Sequence, residues 1–197
     1  MDITTQLHVE RIEEWRNWLE SNHLTENEIW LVFHKRDAGD YQLDYIETVE
    51  EALCFGWIDG ISKKMDDSTK AQRFTPRRKN SRWTELNKER VRRLKALGKM
   101  HEQGMKVLPN LETPFEINEA ILEELKKDAA TYQFFKTLPD LYVRVRISYI
   151  QEYKPGSPEY EKRLANFLKY TAQGKMLGRW DDGGKLTGTY RRDDDDI

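Results

Sequence analysis

Residues 54–87 hold arginine, tryptophan and small turn residues too densely for an ordinary surface loop. The segment reads Cys-Phe-Gly-Trp-Ile-Asp-Gly at 54–60, Arg-Phe-Thr-Pro-Arg-Arg at 73–78 and Ser-Arg-Trp at 81–83, followed by Asn87. A guanidinium group matches carboxylate or phosphate oxygens two at a time, and an indole can stack on a flat ligand or a guanidinium plane. The pattern therefore predicts a cationic, tryptophan-lined anion site on a rigid scaffold.

Ten residues are the candidates for this site. Alternation along a strand puts Arg73 and Thr75 on one face, and the neighbouring arginines could converge on the same mouth. Either tryptophan could instead be a core residue. We expect the arginines to contact the anion, the tryptophans to form walls and the other polar groups to form the floor: Arg73, Thr75, Arg77, Arg78 and Arg82; Trp57 and Trp83; Asp59, Asn87 and Arg90.

The stretch from Arg73 to Lys99 carries most of the positive charge of the chain. It contains eleven basic residues against Glu85 and Glu89, so its net charge is eleven minus two, or +9, in a chain whose total is −2. Such a segregated field attracts phosphate, nucleic acid or an acidic protein surface. The alternative is a solvated helix face that only maintains solubility.

A helical wheel from Trp83 places Arg90 and Asn87 inside the apolar stripe of the basic helix. Arg90 falls at about 340° and Asn87 at about 40°, among the leucines. A buried guanidinium is costly unless it is paired, and Asp59 is the obvious partner. The three residues form either a network that pins the helix to the sheet or the polar floor of a pocket.

Composition excludes several classes of protein. The 197 residues suffice for one large domain or two small ones, and the six Trp and nine Tyr argue against disorder. A single cysteine, Cys54, indicates a reducing compartment, and no apolar run reaches the roughly 20 residues of a membrane span. The first residues lack the pattern of a signal peptide. We therefore expect a cytoplasmic protein.

Catalytic and metal motifs are missing from the sequence. The four histidines show no metal-ligand spacing, Cys54 lies in an apolar helical turn, and there is no G-x-S-x-G, P-loop or G-x-G-x-x-G. We predict no metal and no cofactor, and this favours a binding protein over an enzyme.

Periodicity predicts an α+β fold: a small antiparallel sheet packed with helices, followed by a C-terminal helical region. We expect an α+β domain at 1–110, a helical domain at 115–180 and a flexible acidic tail at 181–197. The first domain has a helix through Trp15 to about Asn22, a strand at 29–33, a turn at 37–40, and a helix that Asp44 caps and Gly56 stops. Strands at 57–61 and 71–75, joined by an acidic loop, and helices at 83–97 and 100–108 follow, with Ser81 as a cap. The second domain is predicted to contain helices at 118–127, 129–136, 139–153 and 158–173, the last of them capped by Ser157.

The chain resembles the YdeI/OmpD-associated family, also called bacteriocin-protection proteins. The similarity rests on A-L-C-F-G-W-I-D-G at 52–60, R-F-T-P-R-R at 73–78, S-x-W at 81–83 and Asn87, and it extends over about residues 8–176. The second half is similar to the OmdA-type helical module at Leu138-Pro139, Arg144, Ile150, Lys154, Arg163, Ala165 and Gly174-Lys175. The resemblance implies a bacterial cytoplasmic protein with a role in envelope-stress or bacteriocin tolerance, and it implies no reaction, cofactor or catalytic residue.

Three functions are therefore compatible with the sequence. The first is a non-catalytic binding protein of the YdeI/OmpD-associated type whose Arg/Trp site takes an anionic small molecule or an acidic protein surface. The second is a nucleic-acid-binding protein that uses the basic helix at 82–99. The third is an enzyme on a small anionic substrate, with Asp59 as acid or base.

Overall fold

A computed structural model describes residues 2–35, 42–78, 81–178 and 185–186, and within them the chain has the predicted α+β fold. The predicted turn at 37–40 and the tail, apart from 185–186, lie outside the described residues. The strands are β1 (Gln6–His8), β2 (Ile29–His34), β3 (Trp57–Lys64) and β4 (Thr69–Pro76). The helices are α1 (Ile12–Asn22), α2 (Tyr45–Cys54), α3 (Glu85–Ala96), α4 (Glu102–Lys106), α5 (Glu119–Lys126), α6 (Ala129–Phe135), α7 (Asp140–Gln151) and α8 (Pro158–Ala172).

The four strands form one mixed sheet in the order β1-β2-β4-β3. β4 pairs antiparallel with both β2 and β3, as expected, whereas β1 pairs parallel with β2. The sheet is thus mixed rather than wholly antiparallel. Sequence periodicity missed β1 because three residues are too few to show an alternating pattern.

The β3–β4 hairpin extends further than the sequence predicted because its acidic loop is tightly hydrogen-bonded. Asp66 Oδ1 accepts from the backbone N–H of Ser68 at 2.7 Å and of Thr69 at 2.8 Å, and its Oδ2 accepts from the Thr69 hydroxyl at 2.7 Å. These hydrogen bonds, above all those from the Thr69 and Ser68 hydroxyls, lower the pKa of the Asp66 carboxyl. The ladder therefore continues to within a few residues of the turn.

Helix caps follow the sequence with one exception. Asp44 accepts from the backbone N–H of Glu47 at 2.9 Å, and Ser157 accepts from that of Tyr160 at 3.4 Å, so both predicted caps are confirmed. Ser81 does not cap α3. Thr84 does, because its hydroxyl accepts from the backbone N–H of Asn87 at 3.2 Å, one turn into the helix.

Contacts divide the chain into two compact units. Unit 1 comprises Met1–Arg82 with Arg90–Pro109, and unit 2 comprises Trp83–Glu89 with Asn110–Ile197. The sequence predicts domains at 1–110 and 115–180, and the chain changes unit at residue 110, but residues 83–89, which the sequence places in the first domain, belong to unit 2. Among the described residues, no helix is both long and apolar enough to cross a membrane.

Each unit has its own apolar core. In unit 1, α1 and α2 cover one face of the sheet, where Trp15 packs against Phe74 with ring centroids 5.1 Å apart. In unit 2, the helices α5 to α8 enclose a cluster that includes Ile121, Tyr142 and Phe167. Many of the aromatic residues that led the sequence analysis to predict an ordered protein thus lie in these cores.

Candidate functional site

The predicted site residues are divided by the two faces of the sheet. Cross-strand pairing sets Arg73 opposite Trp30 and Asp59 opposite Phe74. Because directly opposed residues share a face and successive residues alternate, Arg73 and Thr75 lie on the face away from Asp59. The predicted alternation within β4 is correct, but the sequence could not give the register that separates these residues from Asp59.

Arg73 pairs with a carboxylate instead of joining the other arginines. Its Nε donates to Glu28 Oε2 at 2.5 Å, and its Nη2 contacts the same oxygen. Glu28 also accepts from the Thr4 hydroxyl at 2.6 Å and from the Trp30 indole at 3.0 Å. The Thr4 hydrogen bond first, and then those from Arg73 and Trp30, lower the pKa of Glu28. Arg73 is therefore part of a structural network on its own face.

Trp57 is a core residue and not a wall of an open site. It is 1% exposed, and its indole N–H donates to the His23 carbonyl at 3.2 Å. The Trp18 and Trp57 rings pack edge to face, with their centroids 5.7 Å apart. Trp83 is half-buried and, like Asn87, belongs to unit 2. The proposed pair of indole walls is therefore not supported at Trp57.

Three predicted residues, Asp59, Arg77 and Arg90, do come together in unit 1. Asp59 on β3 accepts a hydrogen bond from the Tyr45 hydroxyl and interacts electrostatically with both guanidinium groups. Nearby, buried Glu50 accepts from Arg93 Nη1 at 3.0 Å and also attracts Arg90. We call this set the guanidinium cluster: Tyr45, Glu50, Asp59, Arg77, Arg90 and Arg93.

Arg77 is a desolvated cation of the guanidinium cluster. It is 8% exposed, its backbone N–H donates to the Gly56 carbonyl at 2.8 Å, and its Nη2 donates to the Arg82 carbonyl at 3.1 Å. Burial lowers the pKa of Arg77 to about 10, although Asp59 acts in the opposite direction. A second anion beside this group would lower the free energy of its charged form.

The same surroundings shift the pKa values of Arg90 and Tyr45. Burial lowers the pKa of Arg90, while Glu50 and Asp59 raise it. Burial, and then the hydrogen bond to Asp59, raise the pKa of the Tyr45 hydroxyl, which stays protonated as a donor. The cluster thus brings three guanidinium groups, two carboxylates and one phenol hydroxyl together.

The remaining predicted contacts, Arg78 and Arg82, are exposed and close to Arg77 in sequence. Sequence reasoning missed Tyr45, Glu50 and Arg93. Glu50 stands four residues after Ile46 and three before Leu53, inside the apolar stripe of α2, and Arg93 falls within about 20° of Leu86 on the wheel used for Arg90. A search for charged residues in apolar stripes would have found both.

Unit 2 contains a contrasting arrangement around Arg144 of α7. Its guanidinium binds Asp140 at 2.7 Å, Glu89 at 2.9 Å and Glu85 at 3.2 Å, and the side chains of the last two are almost fully buried. Burial alone would lower the pKa of Arg144, but the hydrogen bonds that it donates to Asp140, Glu89 and Glu85 outweigh burial and raise that pKa. Glu85 and Glu89, the only acids in the basic run, therefore neutralise a distant arginine.

Comparisons with known proteins identify the family of the first part of the chain. The chain belongs to a family described as a domain of unknown function (DUF8412), whose model matches residues 7–107, just over half of its length. No curated protein and no solved structure matches it. The matched residues include all six members of the guanidinium cluster.

Proposed function

We propose that this DUF8412 protein is a non-catalytic binding protein whose guanidinium cluster holds a small anion. The observation that carries the proposal is the concentration of three guanidinium groups, from Arg77, Arg90 and Arg93, in one partly desolvated place beside Asp59 and Glu50. Burial lowers the pKa of both Arg77 and Arg90, so their charged forms are held at a cost in solvation. Carboxylate or phosphate oxygens would stabilise those charged forms through charge-assisted hydrogen bonds.

The same cluster favours binding over acid–base catalysis. The Asp59 Oδ2 accepts a hydrogen bond from the Tyr45 hydroxyl, and the carboxylate interacts electrostatically with two guanidinium groups. A general base needs a lone pair directed at a substrate proton. We therefore assign Asp59 the role of orienting the arginines.

Nucleic-acid binding is the less favoured function because several cations of the basic helix pair with acids of the chain. Arg93 binds Glu50 at 3.0 Å and Lys88 binds Glu85 at 2.6 Å. Only cations available to phosphates contribute to polyanion affinity. We propose a small anion or an acidic group on a protein surface as the partner.

The cellular role that we propose rests on the resemblance of residues 52–60, 73–78 and 81–83 to the YdeI/OmpD-associated family. By that resemblance the protein would act in the bacterial cytoplasm, in bacteriocin or envelope-stress tolerance. Recognition of an anionic group would be the molecular part of that role.

Isothermal titration of the full chain with inorganic phosphate, citrate and a single-stranded oligonucleotide at low salt tests the function. We expect saturable binding of phosphate or citrate at one site and no comparable binding of the oligonucleotide. Oligonucleotide affinity that falls steeply with salt would instead identify a nucleic-acid-binding protein. Absence of any anion binding would overturn the proposal.

A further inference from the structure

A cleft of about 250 Å³ lies within unit 2, and none of its lining residues belongs to the guanidinium cluster. It is built by one face of α7 and one face of α8, since each helix contributes residues at i, i+3 and i+4 spacing. Leu177 and Gly178, which follow α8, complete the lining. The helix residues are Arg146, Tyr149 and Ile150 of α7 and Arg163, Asn166 and Phe167 of α8.

Arg163 is a fixed wall of this cleft. Its Nε binds Glu159 at 2.9 Å, its Nη1 donates to the Tyr149 carbonyl at 2.8 Å, and its Nη2 donates to the Tyr153 hydroxyl at 3.1 Å. The guanidinium carbon also lies 3.5 Å from the centroid of the Tyr149 ring. These contacts occupy its donors and hold the tyrosine in place.

Arg146, in contrast, has a buried Nε that no described residue satisfies. Within the described part of the chain its Nε is buried and has no hydrogen-bond partner, and no carboxylate forms an ion pair with it. Its guanidinium carbon lies 5.5 Å from the centroid of the Tyr142 ring, which supports the cation from one side. A half-buried guanidinium in this state would gain from an anion.

The backbone at Gly178 is close to the same guanidinium. A Cβ at this position would stand 3.0 Å from Arg146 Nη2, and Gly178 has a φ of +71°, where a side chain is also strained. Glycine therefore leaves the edge of the guanidinium uncovered at the cleft.

The lining selects the class of ligand. Ile150, Phe167 and Leu177 give an apolar surface, while Arg146 is a lining cation whose Nε has no partner among the described residues. The volume is slightly below the range of about 300–1,000 Å³ that is typical of drug-sized ligands. We propose that the cleft binds a small monocarboxylate with an aromatic or aliphatic body, its carboxylate on Arg146 and its body against Phe167 and Leu177.

Titration calorimetry of the full chain with 3-phenylpropionate, 3-phenylpropan-1-ol and inorganic phosphate tests this site without any variant. We expect the acid to bind about tenfold or more tightly than the alcohol, because a charge-assisted hydrogen bond is lost in the alcohol. Phosphate should bind this cleft more weakly than the acid, because it has no apolar body. Equal affinity for acid and alcohol, or no detectable binding of the acid, would overturn the proposal.

Variants locate the binding. Arg146→Met keeps roughly the length of the side chain. It should weaken binding of the acid by about tenfold and leave the affinity for the alcohol unchanged. Lys127→Met removes an exposed cation of unit 2 and should bind the acid as the wild type does. Wild-type affinity for the acid in Arg146→Met would refute the assignment.

Discussion

Arg77 in unit 1 and Arg144 in unit 2 are both largely buried, yet the pKa of Arg77 is lowered and that of Arg144 is raised. Three carboxylates surround Arg144 and raise its pKa. Burial dominates at Arg77 and lowers its pKa to about 10, with Asp59 opposing. The difference shows that a basic run in a sequence does not tell which cations are neutralised internally. That depends on partners brought close by the fold.

The first prediction concerns the aromatic core on which unit 1 relies. Trp57→Ala should lower the free energy of unfolding by about 3–5 kcal/mol, because a fully buried indole and its hydrogen bond to His23 are lost. Urea unfolding followed by circular dichroism measures the change. A loss below about 1 kcal/mol would mean that the ring is not core and is available to a ligand.

In unit 2, removal of the Arg144 guanidinium should lower the free energy of unfolding nearly as much as Trp57→Ala does in unit 1. Arg144→Met leaves Glu85 and Glu89 buried without their guanidinium, and we expect a loss of about 3 kcal/mol in the same unfolding experiment. Adding Glu85→Gln and Glu89→Gln to this variant should restore part of the stability, since the uncompensated charges are then gone. Failure of the triple variant to recover would point to packing as the cause.

The pH dependence of stability reports on desolvated groups in unit 1. Burial raises the pKa of the Cys54 thiol from 9.0 to about 12. The unfolded chain releases this proton near pH 9.0 and the folded chain only near pH 12, so the contribution to stability is complete below pH 9 and is lost as pH rises. The expected slope above pH 9 is about 1.4 kcal/mol per pH unit.

Cys54→Ala provides the control for that slope. Unfolding free energies of wild type and variant should run parallel below pH 9, and the wild type should lose stability faster above it. Curves that stay parallel to pH 11 would show that Cys54 is accessible to solvent in the folded protein.

The smallest effect on stability is expected at Arg77. Arg77→Met removes one hydrogen bond to the Arg82 carbonyl but also removes a desolvated charge, so stability should change by no more than about 1 kcal/mol. Urea unfolding tests this beside Arg144→Met. Equal losses in the two variants would abolish the distinction between the two regions.

Local pattern predicted most elements of the fold but not the pairing of distant residues. Periodicity and caps identified α2 and α8 because Asp44 and Ser157 act on neighbouring backbone groups. Arg73 and Glu28 are 45 residues apart, and Arg144 and Glu85 are 59 residues apart. Hydrophobic periodicity describes the residues within one helix or strand, so it cannot indicate which residues from distant parts of the sequence form a pair.

The candidate site was predicted in part for the same reason. The wheel of α3 identified Arg90 as a cation in an apolar stripe, and Asp59 was named as its partner. Asp59 does interact with Arg90, but Arg73 and Thr75 lie on the opposite face of the sheet. Strand alternation gives the face of each residue within one strand, while the register between strands decides which faces coincide.

Calorimetric titration of inorganic phosphate into wild type, Arg77→Met and Arg11→Met at low salt tests most directly whether the guanidinium cluster holds the anion. Arg11 is an exposed cation of unit 1, so its variant removes the same charge away from the cluster. We predict about tenfold weaker binding in Arg77→Met and affinity within about twofold of wild type in Arg11→Met. Equal affinities in Arg77→Met and wild type would contradict the claim that the guanidinium cluster holds the anion.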